Sequence, residues 1–428
     1  MTIQLQVTPE RALVDVPVEI VCTGCQPGQQ VTLRARTLDS DQNSWEAYAT
    51  YRADEQGEVR PASQEALSGT YQGVDAMGLF WSLQPKGKRR RPSSLSWRSE
   101  EPLHVQLVAE IDGQAVAQFD VERVLISPDV EKVDLNEQGL VGTLYHPKAE
   151  GRYPAVLILS GSDGLPRPNQ AAVLASHGYA ALSLVYFNAP ELPRTLANIP
   201  LEYFEKAIGW LQEQSFVDEE KIGVIGLSRG GELALLLGAT FPAIKAVVAG
   251  SPSGMTHAGF GGRGGYDVPS WTYHGEPLSY PKSHITFWQV LSWTVNGLRR
   301  RPFEMKSIFV QMLQDQENIK AATIAVEKTQ GPILLISGDD DRMWPSNLFS
   351  EMVVEQLREQ QFPYAYEHLD YAGAGHFVCF PYGYPYFPPT YLPLNGMAFG
   401  GSAAANAAAL KDSWPKILAF FERHWQPT

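Results

Sequence analysis

The spacing of apolar residues changes once along the chain, near residue 127, and this change constrains the fold more than any other feature. Before about residue 126, apolar residues alternate with polar ones, as in "QQVTLRA" and "HVQLVAEIDGQAVAQFDV". Alternation with a period of two predicts strands with one buried face. After "SPDV", continuous apolar segments such as "YPAVLILSG" alternate with helical patterns. This second pattern is typical of a mainly parallel sheet covered by helices.

Two domains are therefore expected. Residues 1–128 are predicted to form a β-sandwich of roughly immunoglobulin size, with a two-residue hairpin turn at Asp112-Gly113. Residues 129–428 are predicted to form an α/β domain, in which the Ala-rich stretch at 402–410 and the segment ending "KILAFFERHW" are helical. The strand and helix rhythm fails between about 251 and 329. Because structureless loops of that length are uncommon, we predict a cap-like insertion with helices of its own.

Composition and charge narrow the classes of function. A formal net charge of -13 argues against a nucleic-acid partner, which would require concentrated Lys and Arg. No apolar run is long enough to span a bilayer, and the first residues lack the basic and apolar blocks of a signal peptide, so a cytoplasmic protein is expected.

Cys22, Cys25 and Cys379 are too few for a disulfide framework. The "CTGC" pair has no second ligand pair for zinc, and structural packing is expected for it.

The segment "GLSRGG" at residues 226–231 lies between the apolar run "KIGVI" and the helical pattern "ELALLLGA". A G-x-S-x-G pattern between a buried strand and a helix predicts a sharp turn that raises the serine hydroxyl above the sheet. Gly226 and Gly230 suit this turn because larger side chains would clash there. The bare pattern also occurs by chance as a simple tight turn. In its context it makes Ser228 a candidate nucleophile.

A serine hydroxyl requires a base to take its proton and a carboxylate to orient that base. The segment "YAGAGHFV" places His376 after a strand, among small residues. The segment "PILLISGDDDRMWP" places three carboxylates at the end of another strand. Asp341 is preferred because Pro345, four residues later, allows the loop to turn back, and Asp340 is the alternative. Asp339 is expected in a solvated acidic loop or as the N-terminal cap of the helix that begins near "SNLF".

Hydrolysis through a serine also requires two backbone amides that meet the negative charge on the attacked carbonyl. The first expected donor is the N–H of Arg229, the residue after the nucleophile. The second is expected in the loop "SGSDG", from Ser162 or Asp163, between which the sequence does not distinguish. That loop lacks the spacing of a phosphate-binding signature.

Several longer segments occur in one order along nearly the whole chain: "YQGVDAMGLFWSLQP", "GLSRGGELAL", "PSWTYHGEPL", "SGDDDRMWPS" and "AGAGHF". In this order they resemble the family of acyl-CoA thioesterases and bile acid-CoA:amino acid N-acyltransferases. The resemblance implies a β-sandwich followed by an α/β-hydrolase domain, and it places Ser228, Asp341 and His376 at the triad positions. It also implies a small-molecule acyl-CoA or ester substrate and no metal or organic cofactor.

The resemblance leaves the acyl acceptor open. Hydrolases of the family use serine and bile-acid-conjugating members use cysteine, and an acyl-serine is an ordinary ester that amines attack less readily than a thioester. Ser228 therefore favours hydrolysis of acyl-CoA by water. The alternatives are an acyl-CoA:amino acid N-acyltransferase, a general carboxylesterase or dienelactone-type hydrolase, and a noncatalytic binding protein.

Some charged and histidine residues are candidates for substrate contacts. One of two basic runs, "KGKRRRP" at 86–92 or "LRRRP" at 298–302, is hypothesised to meet the phosphates of CoA. His257, His274 and His284 lie in the predicted insertion, where positions in surface loops are expected and the lining of a channel is the alternative.

Overall fold

The computed structural model describes residues 2–86, 95–261, 265–282, 287–299, 301–383, 390–391 and 396–425. The chain forms two compact units that separate between Ser127 and Pro128. The first unit also takes in the described residues of the segment that begins at Phe380.

The first unit is a β-sandwich. In chain order its elements are β1 (Gln4–Thr8), β2 (Arg11–Leu13), β3 (Glu19–Thr23), β4 (Gln30–Leu38), β5 (Ser44–Arg52), β6 (Ser68–Gly69), the short helix α1 (Gly78–Trp81), β7 (Gln84–Pro85), β8 (Leu103–Ile111) and β9 (Gln114–Val124). Strand β1 pairs with β3, and a larger sheet runs in the order β2-β9-β8-β4-β5-β6, with β7 beside β5. Buried and more exposed residues alternate along β4 and β5, as the period of two predicts.

Two local predictions for this unit can be compared with the structure. Strands β8 and β9 form a hairpin whose turn residues Asp112 and Gly113 have φ of 51° and 77°, which confirms the predicted two-residue turn. Cys22 and Cys25 are free and buried, with their sulfur atoms 3.9 Å apart. Both thiols therefore pack inside the unit.

The second unit is an α/β structure. In chain order its elements are β10 (Val130–Glu137), β11 (Leu140–Pro147), β12 (Tyr153–Leu159), α2 (Pro168–Ser176), β13 (Ala180–Val185), β14 (Ile199–Pro200), α3 (Glu202–Gln212), β15 (Val217–Leu227), α4 (Arg229–Thr240), β16 (Ile244–Gly250), β17 (Ala258–Gly261), β18 (Gly265–Pro269), β19 (Trp271–Tyr273), β20 (Glu276–Pro277), α5 (Phe287–Leu298), α6 (Lys306–Met312), α7 (Gln316–Ala322), a 3-10 helix (Val326–Lys328), β21 (Ile333–Gly338), α8 (Ser346–Glu359), β22 (Tyr366–Tyr371), β23 (Thr390–Tyr391), β24 (Met397–Ala398) and α9 (Ala403–Trp425).

The main sheet of this unit runs in the order β10-β11-β13-β12-β15-β16-β21-β22. Strand β11 is antiparallel to both of its neighbours, β13 and the edge strand β10. The other six strands, in the order β13-β12-β15-β16-β21-β22, are parallel to one another. All residues of β13 and β21 are buried, because a parallel sheet is covered on both faces. The core of the unit includes Leu157, Leu182 and Val224 from adjacent strands. The sheet confirms the predicted fold class, an α/β-hydrolase fold after a β-sandwich.

Two features of this unit were not predicted. Strands β10 and β11 form an antiparallel hairpin before the first predicted strand, with Gln138 and Gly139 in the turn at φ of 53° and 72°. The two predicted C-terminal helical segments form one helix, α9, which contains Pro415. None of the helices described in the structure is long and apolar enough to cross a membrane.

Candidate active site

Ser228 lies at the sharp turn between β15 and α4. Its backbone has φ of 61° and ψ of -122°, a conformation that L residues rarely adopt and that a nucleophile elbow requires. Its N–H donates to the carbonyl of Gly250 at 2.8 Å, and its own carbonyl accepts from the N–H of Glu232 at 3.0 Å. The residue is 9% exposed. The turn is thus fixed to the end of β16 and to the first turn of α4.

Two glycines make this turn possible. A Cβ atom on Gly226 would lie 2.1 Å from the carbonyl oxygen of Gly230. A Cβ atom on Gly230 would lie 2.5 Å from the carbonyl oxygen of Ser160. Backbone approaches of this kind leave no room for a side chain, which is the reason the sequence pattern predicts the turn.

The Asp341 carboxylate is fully buried and accepts hydrogen bonds on both oxygens. Its Oδ2 lies 2.8 Å from Nδ1 of His376 and accepts from the hydroxyl of Ser346 at 2.7 Å. Its Oδ1 accepts from the N–H groups of Met343 at 2.9 Å and Trp344 at 3.3 Å. These four contacts fix the direction in which the carboxylate faces the imidazole ring.

The two neighbouring carboxylates have other partners. Asp340 forms an ion pair with Arg342 at 3.0 Å and accepts from the N–H of Gly401 at 2.9 Å, and its side chain is 39% exposed. Asp339 is exposed and accepts from the N–H of Gly373 at 2.6 Å. Of the three carboxylates, Asp341 is the one that contacts His376.

His376 is joined to the serine turn through the end of β16. Its carbonyl accepts from the hydroxyl of Ser251 at 2.8 Å, and Ser251 directly follows Gly250, to which Ser228 donates. The ring packs against Trp344 and the residue is 3% exposed. Within the described part of the chain, no hydrogen bond joins Ser228 Oγ to the His376 ring. Such bonds are often long without substrate and shorten in the reacting complex.

The two stretches predicted to supply backbone amides both lie beside the serine. Arg229 is the first residue of α4, where backbone N–H groups have no partner within the helix. A Cβ atom on Gly161 would lie 3.8 Å from Cβ of Ser228, so the loop containing Ser162 and Asp163 begins next to the candidate nucleophile. The use of the Ser162 or the Asp163 amide as the second donor stays a prediction.

The side chain of Arg229 has partners that the sequence analysis did not identify. Its Nη1 lies 2.6 Å from Oε2 of Glu232, and both side chains are buried. Its Nη2 donates to the carbonyl of His257 at 3.0 Å and to the hydroxyl of Ser270. Burial raises the pKa of Glu232 to about 7, although the guanidinium and the N–H of Trp271 oppose that rise. The only sequence signal was an acidic residue three positions after Arg229.

The expectation that His257 lies in a surface loop is wrong. His257 is 4% exposed, its Nε2 lies 2.9 Å from the hydroxyl of Ser253, and its ring packs against Phe309, Trp344 and Phe349. These aromatic residues are distant in sequence, so a single segment could not reveal the burial. Burial also lowers the pKa of His257 well below its usual value.

The remaining candidates for substrate contacts are exposed or fall outside the described residues. His274, Lys86, Arg299 and Arg301 are exposed, and Lys86 pairs with Glu46 at 2.9 Å. Residues Lys88, Arg89, Arg90, Arg91, His284 and Arg300 lie outside the described residues. Across the described ranges, no group of three or more His, Cys, Asp or Glu side chains is arranged to hold a metal ion.

Comparisons with known proteins cover both units. Residues 199–427 match the family described as BAAT / Acyl-CoA thioester hydrolase C terminal. Residues 15–137 match the Acyl-CoA thioester hydrolase/BAAT N-terminal region, and residues 140–257 match the Dienelactone hydrolase family.

Several relatives match over nearly the full chain, including the following three. Acyl-coenzyme A amino acid N-acyltransferase 1 of Mus musculus is 32% identical over 99% of this chain and 98% of its own length. Bile acid-CoA:amino acid N-acyltransferase of Homo sapiens is 31% identical over 99% and 98%. The mitochondrial Acyl-coenzyme A thioesterase 2 of Mus musculus is 30% identical over 98% and 89%. The chain therefore belongs to the acyl-CoA thioester hydrolase/BAAT family.

Proposed function

We propose that this protein is a serine hydrolase that cleaves acyl-CoA thioesters to a free acid and CoA. The observation that carries the proposal is the contact of 2.8 Å between Asp341 and His376, at the same edge of the sheet as the strained turn of Ser228. A serine, a carboxylate and a histidine, in this chain order, form the catalytic set of α/β-hydrolases. The relatives named as acyl-CoA thioesterases support the substrate class.

The proposed reaction forms an acyl-enzyme on Ser228. His376 takes the Oγ proton through Nε2 while Oγ attacks the thioester carbonyl, and Asp341 holds the imidazolium through Nδ1. The N–H of Arg229 and an amide of the Ser162-Asp163 loop stabilise the negative oxygen. The carbon–sulfur bond then breaks, and the imidazolium of His376 gives its proton to the departing sulfur, so that CoA leaves as the thiol. This departure is easy because a thiol has a pKa of about 8.5. His376 next removes a proton from water, which attacks the ester and releases the acid and the Ser228 hydroxyl.

The second candidate function is transfer of the acyl group to an amino acid. It is favoured by the two relatives named above as N-acyltransferases, which are 32% and 31% identical to this chain, against 30% for the thioesterase. The chemistry of the nucleophile opposes it, because amines attack an ester on Ser228 less readily than they attack a thioester. A third candidate, cleavage of oxygen esters, is suggested by the match to dienelactone hydrolases and uses the same residues.

Product analysis separates these functions. Acyl-CoAs of increasing chain length are incubated with the purified protein, with and without glycine or taurine, and the products are resolved by liquid chromatography. Hydrolysis predicts equal amounts of free acid and CoA, with no amide when the amine is present. Amide as the main product would contradict the proposal. A kcat/KM for simple oxygen esters well above that for every acyl-CoA would assign the chain to the third function.

Replacing the candidate nucleophile tests why water, rather than an amine, is proposed as the acceptor of the acyl group. Ser228→Cys converts the acyl-enzyme into a thioester, so the ratio of amide to acid formed in the presence of glycine is expected to rise. Ser228→Ala is the matched control and is expected to form neither product. An unchanged product ratio in Ser228→Cys would show that the acceptor is selected by binding rather than by the reactivity of the acyl-enzyme.

The proposal extends to the parts of the chain around the site. Residues 1–128 are proposed as the sandwich domain and residues 129–428 as the catalytic domain, with residues 251–329 as a cap. One of the two basic runs, at residues 86–92 or 298–302, is proposed to meet the phosphates of CoA. Reversing the charges of each run in turn is then expected, for that one run, to raise KM for a long acyl-CoA and to leave KM for a short ester unchanged; equal effects on both substrates would contradict the proposal. A cytoplasmic role in lipid metabolism is also proposed. Because one relative is named as mitochondrial, the compartment is to be tested by cell fractionation.

A further inference from the structure

A buried pair of opposite charges lies beside the serine turn. Arg229 and Glu232 both belong to the first turn of α4, and their side chains are 5% and 0% exposed. Burying two charges is costly, and replacing such a pair by uncharged residues is often neutral or stabilising. Stability alone therefore gives no strong reason for a pair at this position.

The pair connects α4 to a second segment of the chain. The guanidinium of Arg229 donates to the carbonyl of His257 at 3.0 Å and to the hydroxyl of Ser270. Glu232 Oε1 accepts from the indole N–H of Trp271 at 2.8 Å and from the N–H of His257 at 3.3 Å. Each charge is thus bonded to its partner on α4 and to the segment that follows β16. The first turn of α4 cannot shift without breaking several of these bonds.

We infer that Arg229 and Glu232 are positioning residues, which hold the first turn of α4 so that Ser228 and the Arg229 backbone N–H keep the geometry needed for acyl transfer. Ser228 occupies a strained conformation, and such conformations persist only where the surrounding structure enforces them. Amides that stabilise an oxyanion must also be held closely, since a displacement of about 1 Å can cost about 100-fold in rate. The bonds of the Arg229 side chain anchor the residue whose amide is the proposed donor.

This inference rests on the proposed use of Ser228 as nucleophile and not on the acyl-CoA substrate. It applies equally to an oxygen ester or a fluorophosphonate. A test with these small compounds therefore remains informative if acyl-CoA is not the substrate.

A variant that lacks both charges of the Arg229–Glu232 pair distinguishes a role in positioning the serine turn from a role in stabilising the fold. Arg229→Met leaves Glu232 buried without its partner, so both Tm and kcat are expected to fall. The double variant Arg229→Met/Glu232→Gln removes both charges and keeps an acceptor for the N–H of Trp271. Its Tm is expected to return toward the wild-type value, while kcat stays about 10- to 100-fold low and KM changes by less than about 3-fold. A purely structural pair would recover kcat together with Tm.

Two further variants serve as controls. Arg229→Lys can reach Glu232 but cannot hold His257 and Ser270 at the same time, so an intermediate kcat is expected. If Arg229→Met does not fold, the comparison of Arg229→Lys with wild type decides the question. Arg123→Met removes another buried guanidinium, which donates to three backbone carbonyls in the first unit. It is expected to lower Tm without lowering kcat.

The measurements are Tm, kcat and KM for a p-nitrophenyl ester, and the second-order rate of Ser228 labelling by a fluorophosphonate. The inference expects the double variant to be labelled about 10- to 100-fold more slowly than wild type at a similar Tm. Labelling and kcat within about 3-fold of wild type would overturn it. Wild-type protein that turns over the ester but no acyl-CoA would overturn the proposed substrate and leave the positioning role standing.

Discussion

Asp341→Asn changes one atom of the candidate site and has a consequence that the hydrogen bonds determine. Oδ1 of Asp341 accepts from two backbone N–H groups, so the carbonyl oxygen of the new side chain must remain on that side. The new NH₂ group then faces the Ser346 hydroxyl and Nδ1 of His376, where Oδ2 lies in the wild type. The hydroxyl can rotate to accept from it. His376 Nδ1 must also accept, which moves the ring proton to Nε2. In the proposed mechanism, Nε2 can then no longer take the proton of Ser228.

The two effects of this change differ in size. Hydrogen bonds to a charged group contribute about 1.5–3 kcal/mol and neutral ones about 0.5–1.5 kcal/mol, while removing a buried charge relieves its desolvation. The free energy of unfolding is therefore expected to fall by about 1–3 kcal/mol. The wrong tautomer lowers kcat by about 10⁴-fold in serine proteases, which corresponds to about 5 kcal/mol in the activation barrier. The loss of rate should thus far exceed the loss of stability.

The assay measures kcat from the release of CoA thiol and Tm from thermal unfolding on the same preparations. Asp340→Asn is the matched control, because Asp340 is adjacent but bonds to Arg342 and Gly401. It is expected to keep kcat within about 3-fold of wild type. The reasoning would be refuted if Asp341→Asn kept kcat within about tenfold of wild type, or if Asp340→Asn lost as much activity as Asp341→Asn.

Two other predictions follow from close contacts and burial. Gly230→Ala would place Cβ 2.5 Å from the carbonyl oxygen of Ser160, so the loop beside the candidate nucleophile must move and kcat is expected to fall by about 100-fold; an unchanged kcat would contradict this. Burial raises the pKa of both Cys22 and Cys379 to about 12. Iodoacetamide at pH 8 should therefore modify these two thiols slowly in native protein and rapidly in urea, as mass spectrometry can show; rapid native alkylation would contradict their burial.

The features of the site that could be predicted from the sequence all follow buried strands. Ser228, Asp341 and His376 each come after a strand of the parallel sheet, and the carboxyl ends of such strands meet at one edge. The contact between Asp341 and His376 could be anticipated for this reason. Their catalytic roles stay predictions. The two glycines of the serine turn were predictable as well, because the backbone atoms they face belong to the turn itself or to the residue that directly follows the adjacent strand β12.

The features that could not be predicted depend on contacts between distant segments. The buried position of His257 arises from aromatic residues 52 to 92 positions away. The bonds of Arg229 to His257 and Ser270 likewise join segments that no periodic pattern relates. The β10–β11 hairpin was missed for a local reason, since Gln138 occupies a turn position where Asn or Asp is the usual signal.

Ser228 is proposed to carry the acyl group during hydrolysis of acyl-CoA. The most direct test compares kcat/KM for acyl-CoA hydrolysis between wild type and Ser228→Ala, with Tm showing that both are folded. A loss of at least about 10⁴-fold is expected in the variant at a similar Tm. Hydrolysis by Ser228→Ala within about tenfold of wild type would contradict the proposed role of Ser228.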